Sequence, residues 1–264
     1  MKTLYLECNM GAAGDMLMGA LLDLHPDPDG FLARLNGLGV PGVTVETQQV
    51  LRCGITSRKM QVRVHGQEED DHPHHHDHDH PHDHDHPHEH DHGHEHDHPH
   101  QHDHDHGHAH RGMGEIQGLI QGLAISPKVR ADVLAVYGRI AQAEAQVHGR
   151  PVELVHFHEV GALDAVMDIL GVCLLMEELG PAQVFASPVR TGFGQVRCAH
   201  GILPVPAPAT ALLLQGIPVF AGELAGDMCT PTGAALLGHF VQDFIPMPAM
   251  RMEKAGYGAG SREF

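Results

Sequence analysis

A run of alternating histidine and acid splits this chain in two. From Asp70 to His110 nearly every second residue is histidine, and the run holds 21 of the 28 histidines. An alternation of period two presents no helical face and offers nothing apolar to bury. The segment is therefore expected as a long, solvated, disordered loop, and any core must be built from the chain on either side. Imidazole suits Ni, Zn and Cu, and carboxylates between imidazoles draw cations in. The candidate ligands are His74, His76, His78, His80, His82, His84, His86, His88, His90, His92, His94, His96, His98, His100, His102, His104, His106 and His108. Composition does not say which metal. The tract is neither terminal nor pure histidine, which argues against an expression tag. A sticky buffer with no role in chemistry is the plain alternative. At pH 5.5 most of these imidazoles would be charged, given an unperturbed pKa of about 6.5. The loop would then turn net positive and release metal.

The same segment carries most of the charge. Residues 66–112 hold 14 acids and one arginine, a net of −13; the rest has 20 acids and 15 basic groups, a net of −5. The remainder is only mildly acidic, and nothing in it points to nucleic acid. The chain has 264 residues, so enough is left outside the tract for a sizeable core. Met1–Glu7 reads as a short strand leading into glycine-rich sequence, so no signal peptide is expected. No apolar run reaches a membrane-spanning length. The five cysteines, Cys8, Cys53, Cys173, Cys198 and Cys229, form no CxxC pair and are odd in number. Reduced thiols in the cytoplasm are the natural expectation.

Periodicity gives an order of elements. Thr3–Cys8 reads as a strand, Met16–Leu24 and Gly30–Leu38 as helices, and Val43–Val50 with Ile55–Val64 as two antiparallel strands around Arg52-Cys-Gly54. This opening predicts an α/β fold of the α+β sandwich kind, a mixed sheet with packed helices. Helical sequence resumes at Met113–Gly122 and at Ser126–His148, where Ser126-Pro127 is a helix start. A further helix is predicted from about Glu159 to Leu179. It is apolar nearly all round and so should be buried. Gly161, Asp164, Asp168 and Gly171 share one stripe of it. Buried carboxylates cost several kcal/mol unless paired or bound to a cation. Backbone amides or an arginine such as Arg190 would satisfy them structurally. Val184–Arg190 reads as a strand, Thr191–Gly194 as a turn, and Gln195–Ala199 as a return to His200-Gly201. Pro204–Pro208 leads stiffly into a helix at Ala209–Gln215. Thr230-Pro231-Thr232-Gly233 opens another helix. Gly256–Gly260 reads as a flexible run, more like a linker than a domain end.

Four constellations carry chemistry. Gly11, Gly14 and Asp15 sit between a strand and a helix, where exposed amides bind phosphate or carboxylate. Asp15 would cap that helix or hold a cation that bridges phosphates. The pattern lacks the lysine of a P-loop and does not fit G-x-G-x-x-G, and a plain turn would look the same. Thr230, Thr232 and Gly233 form a second helix start with the same capacity, and spacing does not choose between them. His156 and His158 are two apart, with Glu159 adjoining, and in extended chain would face one side. Cys198 and His200 repeat that spacing, a thiolate beside an imidazole that suits Ni or Zn. Either histidine alone is more often a satisfied core residue. The two groups are expected to converge, with Asp164 and Asp168 facing the same cleft, because loops at one end of a sheet gather such residues.

Four runs then become specific. Tyr5–Met16, Val155–Val166, Cys198–Thr210 and Thr230–Leu237, together with Gly256–Gly260, resemble the LarC family of nickel-insertion proteins, and they span the whole chain. A histidine-rich insertion at this place also fits that family. The resemblance implies insertion of Ni²⁺ into a pyridinium bisthiocarboxylic acid mononucleotide, completing the nickel-pincer cofactor of lactate racemase and related enzymes. It implies use of CTP with Mg²⁺ or Mn²⁺, giving CMP and pyrophosphate. Two Ni–S bonds and one Ni–C bond form, so a ring proton must leave and a base is needed. His156, His158 or one of the aspartates would serve as that base.

Two departures qualify the resemblance. Family members continue past the Gly-Tyr-Gly-Ala-Gly run into a C-terminal domain that holds the CTP site. Residues 223–230 are also longer than the family pattern, placing Asp227 and Cys229 in a local insertion. The expected organisation is thus residues 1–65 and 113–255 as one metal-handling domain, 66–112 as the insertion, and 256–264 as a linker to an absent C-terminal domain. The expected partners are the mononucleotide, that domain and apo lactate racemase or a related recipient, with no nucleic acid, no membrane, and homo-oligomer formation open. A non-catalytic nickel store or metallochaperone is the alternative. A Zn²⁺ hydrolase using His156, His158 and Asp164 is a third.

Overall fold

The computed structural model describes residues 1–68, 111–155, 157, 160–198 and 200–262. Before the histidine tract come β1 (Thr3–Leu6), α1 (Gly14–Leu24), α2 (Pro28–Gly37), β2 (Val43–Arg52), β3 (Ile55–Val64) and β4 (Gln67–Glu68). After it come α3 (Met113–Gly122), α4 (Pro127–His148), a 3-10 turn (Val152–Leu154), α5 (Leu163–Leu179), β5 (Gln183–Ala186), β6 (Val189–Arg190), β7 (Gly192–Phe193), β8 (Gln195–Cys198) and β9 (Gly201–Pro204). The chain closes with α6 (Pro208–Leu213), β10 (Val219–Phe220), β11 (Gly226–Asp227), α7 (Pro231–Phe240), β12 (Asp243–Phe244) and β13 (Gly258–Ala259). Met1–Glu69 and Ala109–Phe264 close into one unit across the tract.

The helix starts follow from their residues. Ser126 Oγ accepts from Val129 N at 3.1 Å ahead of Pro127, and α4 ends at Gly149 in the left-handed region, φ 60°. Asp27 caps α2 through Gly30 N at 3.0 Å. Helix α5 lies among α1, α4, α7 and β3. Val166, Ile169 and Leu170 on it are fully buried, and each such side chain contributes about 1.5–3 kcal/mol. Among the described residues no helix is long and apolar enough to cross a membrane.

The α/β class holds, with the strands divided among several small sheets. Strands β1, β5 and β12 form a parallel sheet in the order β1-β5-β12, with Thr3 opposite Gln183 and Leu6 opposite Ala186. The β2–β3 hairpin does not join it. It forms a second, mixed sheet with β13, which runs parallel to β3. The strand expected at Val184–Arg190 is broken at Ser187-Pro188. Ser187 Oγ accepts there from Cys8 N at 2.8 Å, and proline has no N–H to give. Helix α5 begins at Leu163, later than expected, because the carbonyls ahead of it are taken. Tyr137 Oη donates to Val160 O at 3.2 Å, and Arg111 Nη1 to Gly161 O at 3.1 Å.

The Gly256–Gly260 run, expected as a flexible linker, is held against α1 and β3. Arg58 N donates to Tyr257 O at 2.7 Å, and Tyr257 N donates to Asp23 Oδ2 at 3.3 Å. A Cβ on Gly258 would overlap Met16 O, so glycine here allows close approach of backbones.

Candidate functional site

The parallel sheet sends its loops out from the carboxyl ends of its strands, the edge where α/β sheets bind ligands. After β1 the chain turns through Cys8–Ala13 into α1. Gly11, at φ +86°, donates N–H to Cys8 O at 3.0 Å, and a Cβ there would overlap Met228 O. Ala12 N donates to Met228 O at 2.9 Å, and Thr230 N donates to Ala12 O at 3.0 Å. Ala12 and Cys229 thus form a parallel bridge, and α1 and α7 begin side by side. The two helix starts that spacing left as alternatives occupy one place.

Helix α5 supplies that place with carboxylate. A Cβ on Gly14 would lie 2.8 Å from Asp168 Oδ2 and 3.0 Å from Thr232 Cγ2. Gly14 therefore packs against both Asp168 and Thr232. A Cβ on Gly171, one turn on, would overlap Met18 Sδ, so the predicted stripe of α5 faces α1. Thr230 Oγ1 caps α7 by accepting from Gly233 N at 3.2 Å, whereas Ala13 provides α1 with no side-chain cap. Asp15 Oδ1 accepts from Met16 N at 2.8 Å, and Asp164 Oδ1 from Ala165 N at 2.6 Å.

Two residues the sequence did not single out complete the surroundings. Tyr137 is fully buried, and burial pushes its hydroxyl pKa well above the ordinary value. Asp164 and Asp168 push the same way and Arg111 opposes them. Arg111 holds the chain ahead of α5, since its carbonyl accepts from Phe157 N at 3.1 Å. The Phe157 ring lies 5.8 Å from that of Tyr137. In sequence Tyr137 is one apolar-face residue of a long helix, and only the fold puts the aspartates beside it. Arg190, offered as a partner for the aspartates, is engaged otherwise: its guanidinium lies over Phe220 and meets Met10.

Cys8 and Cys229 flank the glycine turn. Burial and then Glu7 raise the Cys8 thiol to about 12, and burial, Asp227 and Cys8 raise Cys229 as well. Both are thiols at neutral pH, and all five cysteines are free.

His156, His158 and Glu159 lie outside the described residues, as do the tract histidines from His74 to His108. Cys198 and His200 sit at the tip of the β8–β9 hairpin, where Cys198 pairs with Gly201. The His200 ring lies 4.9 Å from that of His148, on the last turn of α4, and His148 Nε2 is 3.4 Å from Glu144 Oε2. Glu144 and His148 are four apart on one helix, a spacing legible in the sequence. Among the described residues no group of three or more His, Cys, Asp and Glu is gathered to hold a metal ion.

Comparison with known proteins gives one family. The model described as nickel insertion protein matches residues 4–264. A pyridinium-3,5-bisthiocarboxylic acid mononucleotide nickel insertion protein of Desulfitobacterium hafniense is 38% identical over 263 residues, covering 100% of this chain and 56% of that relative. Proteins of the same description from Geobacillus kaustophilus and Staphylococcus epidermidis are 36% and 34% identical over 263 residues, each covering 100% of this chain and 57% and 56% of the relative. The chain thus spans little more than half the length of these relatives. No solved structure matches it.

Proposed function

The chain belongs to the nickel insertion protein family, and from that membership we propose that it is the N-terminal part of an enzyme that inserts Ni²⁺ into pyridinium-3,5-bisthiocarboxylic acid mononucleotide. The product on this reading is the nickel-pincer cofactor of lactate racemase or a related recipient. The observation that carries the reading is the junction of Gly14, Asp168 and Thr232, where two helix starts and a carboxylate from the buried helix meet. Nickel, the substrate cation, requires negative donors to shed its waters, and Asp168 and Asp164 bring them. The mononucleotide requires an anion site, and the adjacent starts of α1 and α7 bring N–H groups and the positive ends of two helix dipoles. A ring proton must leave as the Ni–C bond forms. Asp164, Asp168, His156 or His158 takes it on this reading.

The glycine turn has no P-loop lysine. On the family resemblance, CTP with Mg²⁺ or Mn²⁺ falls to the C-terminal domain of the longer relatives, which leaves this chain the metal and the mononucleotide. The test is incubation of the chain and its C-terminal partner with Ni²⁺, CTP, Mg²⁺ and the sulfur-bearing mononucleotide, followed by nickel-pincer absorbance. Asp168→Asn and Asp15→Ala should lose most of the product. Asp15 as a mere cap contributes only about 1 kcal/mol, so its melting temperature should change little. Full activity in both variants would overturn the reading. The histidine tract favours a second one, a nickel store or metallochaperone, which absence of any product with wild-type protein would support.

A further inference from the structure

Arg190 is held differently from the arginines that are tied to carboxylates or carbonyls of the fold. Arg34 pairs with Glu178 at 2.7 Å, Arg58 with Asp23 at 3.4 Å, and Arg63 with Glu46 at 3.2 Å. Arg130 donates to the carbonyls of Ile120 and Leu123, and Arg111 to that of Gly161. Arg190 has no carboxylate partner among the described residues. Among those residues its Nη1 meets Met10 Sδ, at 3.8 Å, and its buried Nε has no hydrogen-bond partner. The side chain is nevertheless fixed. Its guanidinium carbon lies 5.5 Å from the centre of the Phe220 ring. Gly222 closes over it, since a Cβ there would overlap Nε. A stacked guanidinium held in one orientation, with no carboxylate of the described residues on its donors, is arranged to receive an oxyanion.

Its position ties it to the candidate site. Arg190 N and Gly11 N both donate to Cys8 O, at 3.1 and 3.0 Å, so Arg190 leaves the backbone where the glycine turn begins. Met10, the residue its guanidinium meets, belongs to that turn and is half exposed.

We propose that Arg190 is the anchor for the phosphate monoester of the mononucleotide. The identity of the ligand rests on the functional reading above; the anchor itself does not. Of the anionic groups on such a molecule, the two thiocarboxylates must be left to the metal. A guanidinium on them would compete with the sulfur–nickel bonds. The phosphate is remote from the reacting atoms and is the group free to position the ligand.

The test uses the chain as it stands, without nickel or CTP. Nicotinic acid mononucleotide and its dephosphorylated riboside, which share the pyridine ring and the ribose, are titrated by calorimetry. The chain should bind the mononucleotide more tightly than the riboside, and inorganic phosphate should compete with it. Arg190→Gln should weaken the mononucleotide by about tenfold or more and erase the preference, because a charge-assisted pair is lost. Arg190→Lys, which keeps the charge without the fork, should lie between and gives the same reading should the glutamine variant fail to fold. Equal binding of mononucleotide and riboside by the wild-type chain, or no binding of either, would overturn the anchor. So would unchanged affinity in the variants. Mononucleotide binding that depends on Arg190, with no nickel insertion alongside the C-terminal partner, would keep the anchor and overturn the function. Insertion that survives with unaltered mononucleotide affinity in Arg190→Gln would do the reverse.

Discussion

Replacing Gly233 by alanine tests the geometry on which the site depends, because local and tertiary effects have opposite signs. Gly233 is in the first turn of α7, and helix propensity alone favours alanine there by about 1 kcal/mol. The fold opposes the change. The added Cβ would overlap Ala12 O and lie 2.5 Å from Ala12 C and 2.8 Å from Ala13 N. These are backbone atoms, held by Thr230 N to Ala12 O and Ala12 N to Met228 O, so no side-chain rotation relieves the overlap. Moving α7 off the glycine turn loses both bonds, at about 1 kcal/mol each. Residual overpacking adds about 1–3 kcal/mol. The net expectation is destabilisation by about 2–4 kcal/mol. The assay is urea unfolding by circular dichroism, comparing midpoints at constant slope. Gly118→Ala in α3 is the control. Gly118 is exposed with nothing within 4 Å of a Cβ, so propensity alone acts and stability should rise by about 0.5–1 kcal/mol. A Gly233→Ala chain as stable as wild type would refute the convergence of the two helix starts.

Alkaline pH should unfold the chain in a predictable window. Burial raises Cys8 to about 12 and also raises Cys173, Cys229 and Tyr137, so the folded chain keeps protons that the unfolded chain releases. Their contribution is whole below the unfolded thiol pKa and is lost as pH rises from about 9 toward the folded values, at about 1.4 kcal/mol per pH unit for each group. The melting temperature should fall between about pH 9 and 11, less steeply in Cys173→Ala; a flat profile to pH 11 would contradict it. Deleting residues 70–110 should leave the melting temperature nearly unchanged and sharply lower the number of Ni²⁺ ions bound in calorimetry. A large loss of stability, or unchanged stoichiometry, would count against the tract as a separate metal-binding insertion.

What was legible in the sequence was mostly local. Ser126-Pro127 and Thr230-Pro231 mark the helix starts they form, because capping is decided within four residues. The hairpin of β2 and β3 turns at Cys53-Gly54, as its alternation required. The aspartate stripe of α5 was visible as a polar interruption of an apolar helix. The neighbours of that stripe were not. Ala12 and Cys229 bridge across more than two hundred positions, and nothing local to either run encodes the other. Most of the two-residue strands are likewise defined by partners remote in sequence; β4, which turns back on β3, is the local one. Glycine misled at Gly256–Gly260 because a missing side chain serves flexibility and close packing equally. Tyr137 was hidden for the converse reason: a buried tyrosine on a helix looks like any core residue until its charged neighbours are placed.

The proposed chemistry sets a charge problem that the site divides between its parts. A metal dication and a phosphate-bearing ligand must be held together, and a pocket of one sign would repel one of them. Asp164 and Asp168 bring negative charge from α5. The starts of α1 and α7 bring about half a positive charge each to the same junction, and Arg190 brings a full one where the glycine turn begins. On this division the two signs should fail separately. Asp168→Asn should raise the nickel concentration needed for insertion and leave affinity for the phosphorylated ligand within about twofold, since the mutated group faces the cation. Arg190→Gln should weaken that affinity by about tenfold and leave the nickel dependence alone once the ligand saturates. Measuring insertion rate against each substrate in turn, at saturation of the other, reads the two effects independently. If both variants shift the same substrate, the charges act as one undivided field, and the assignment of metal to α5 and phosphate to Arg190 is wrong.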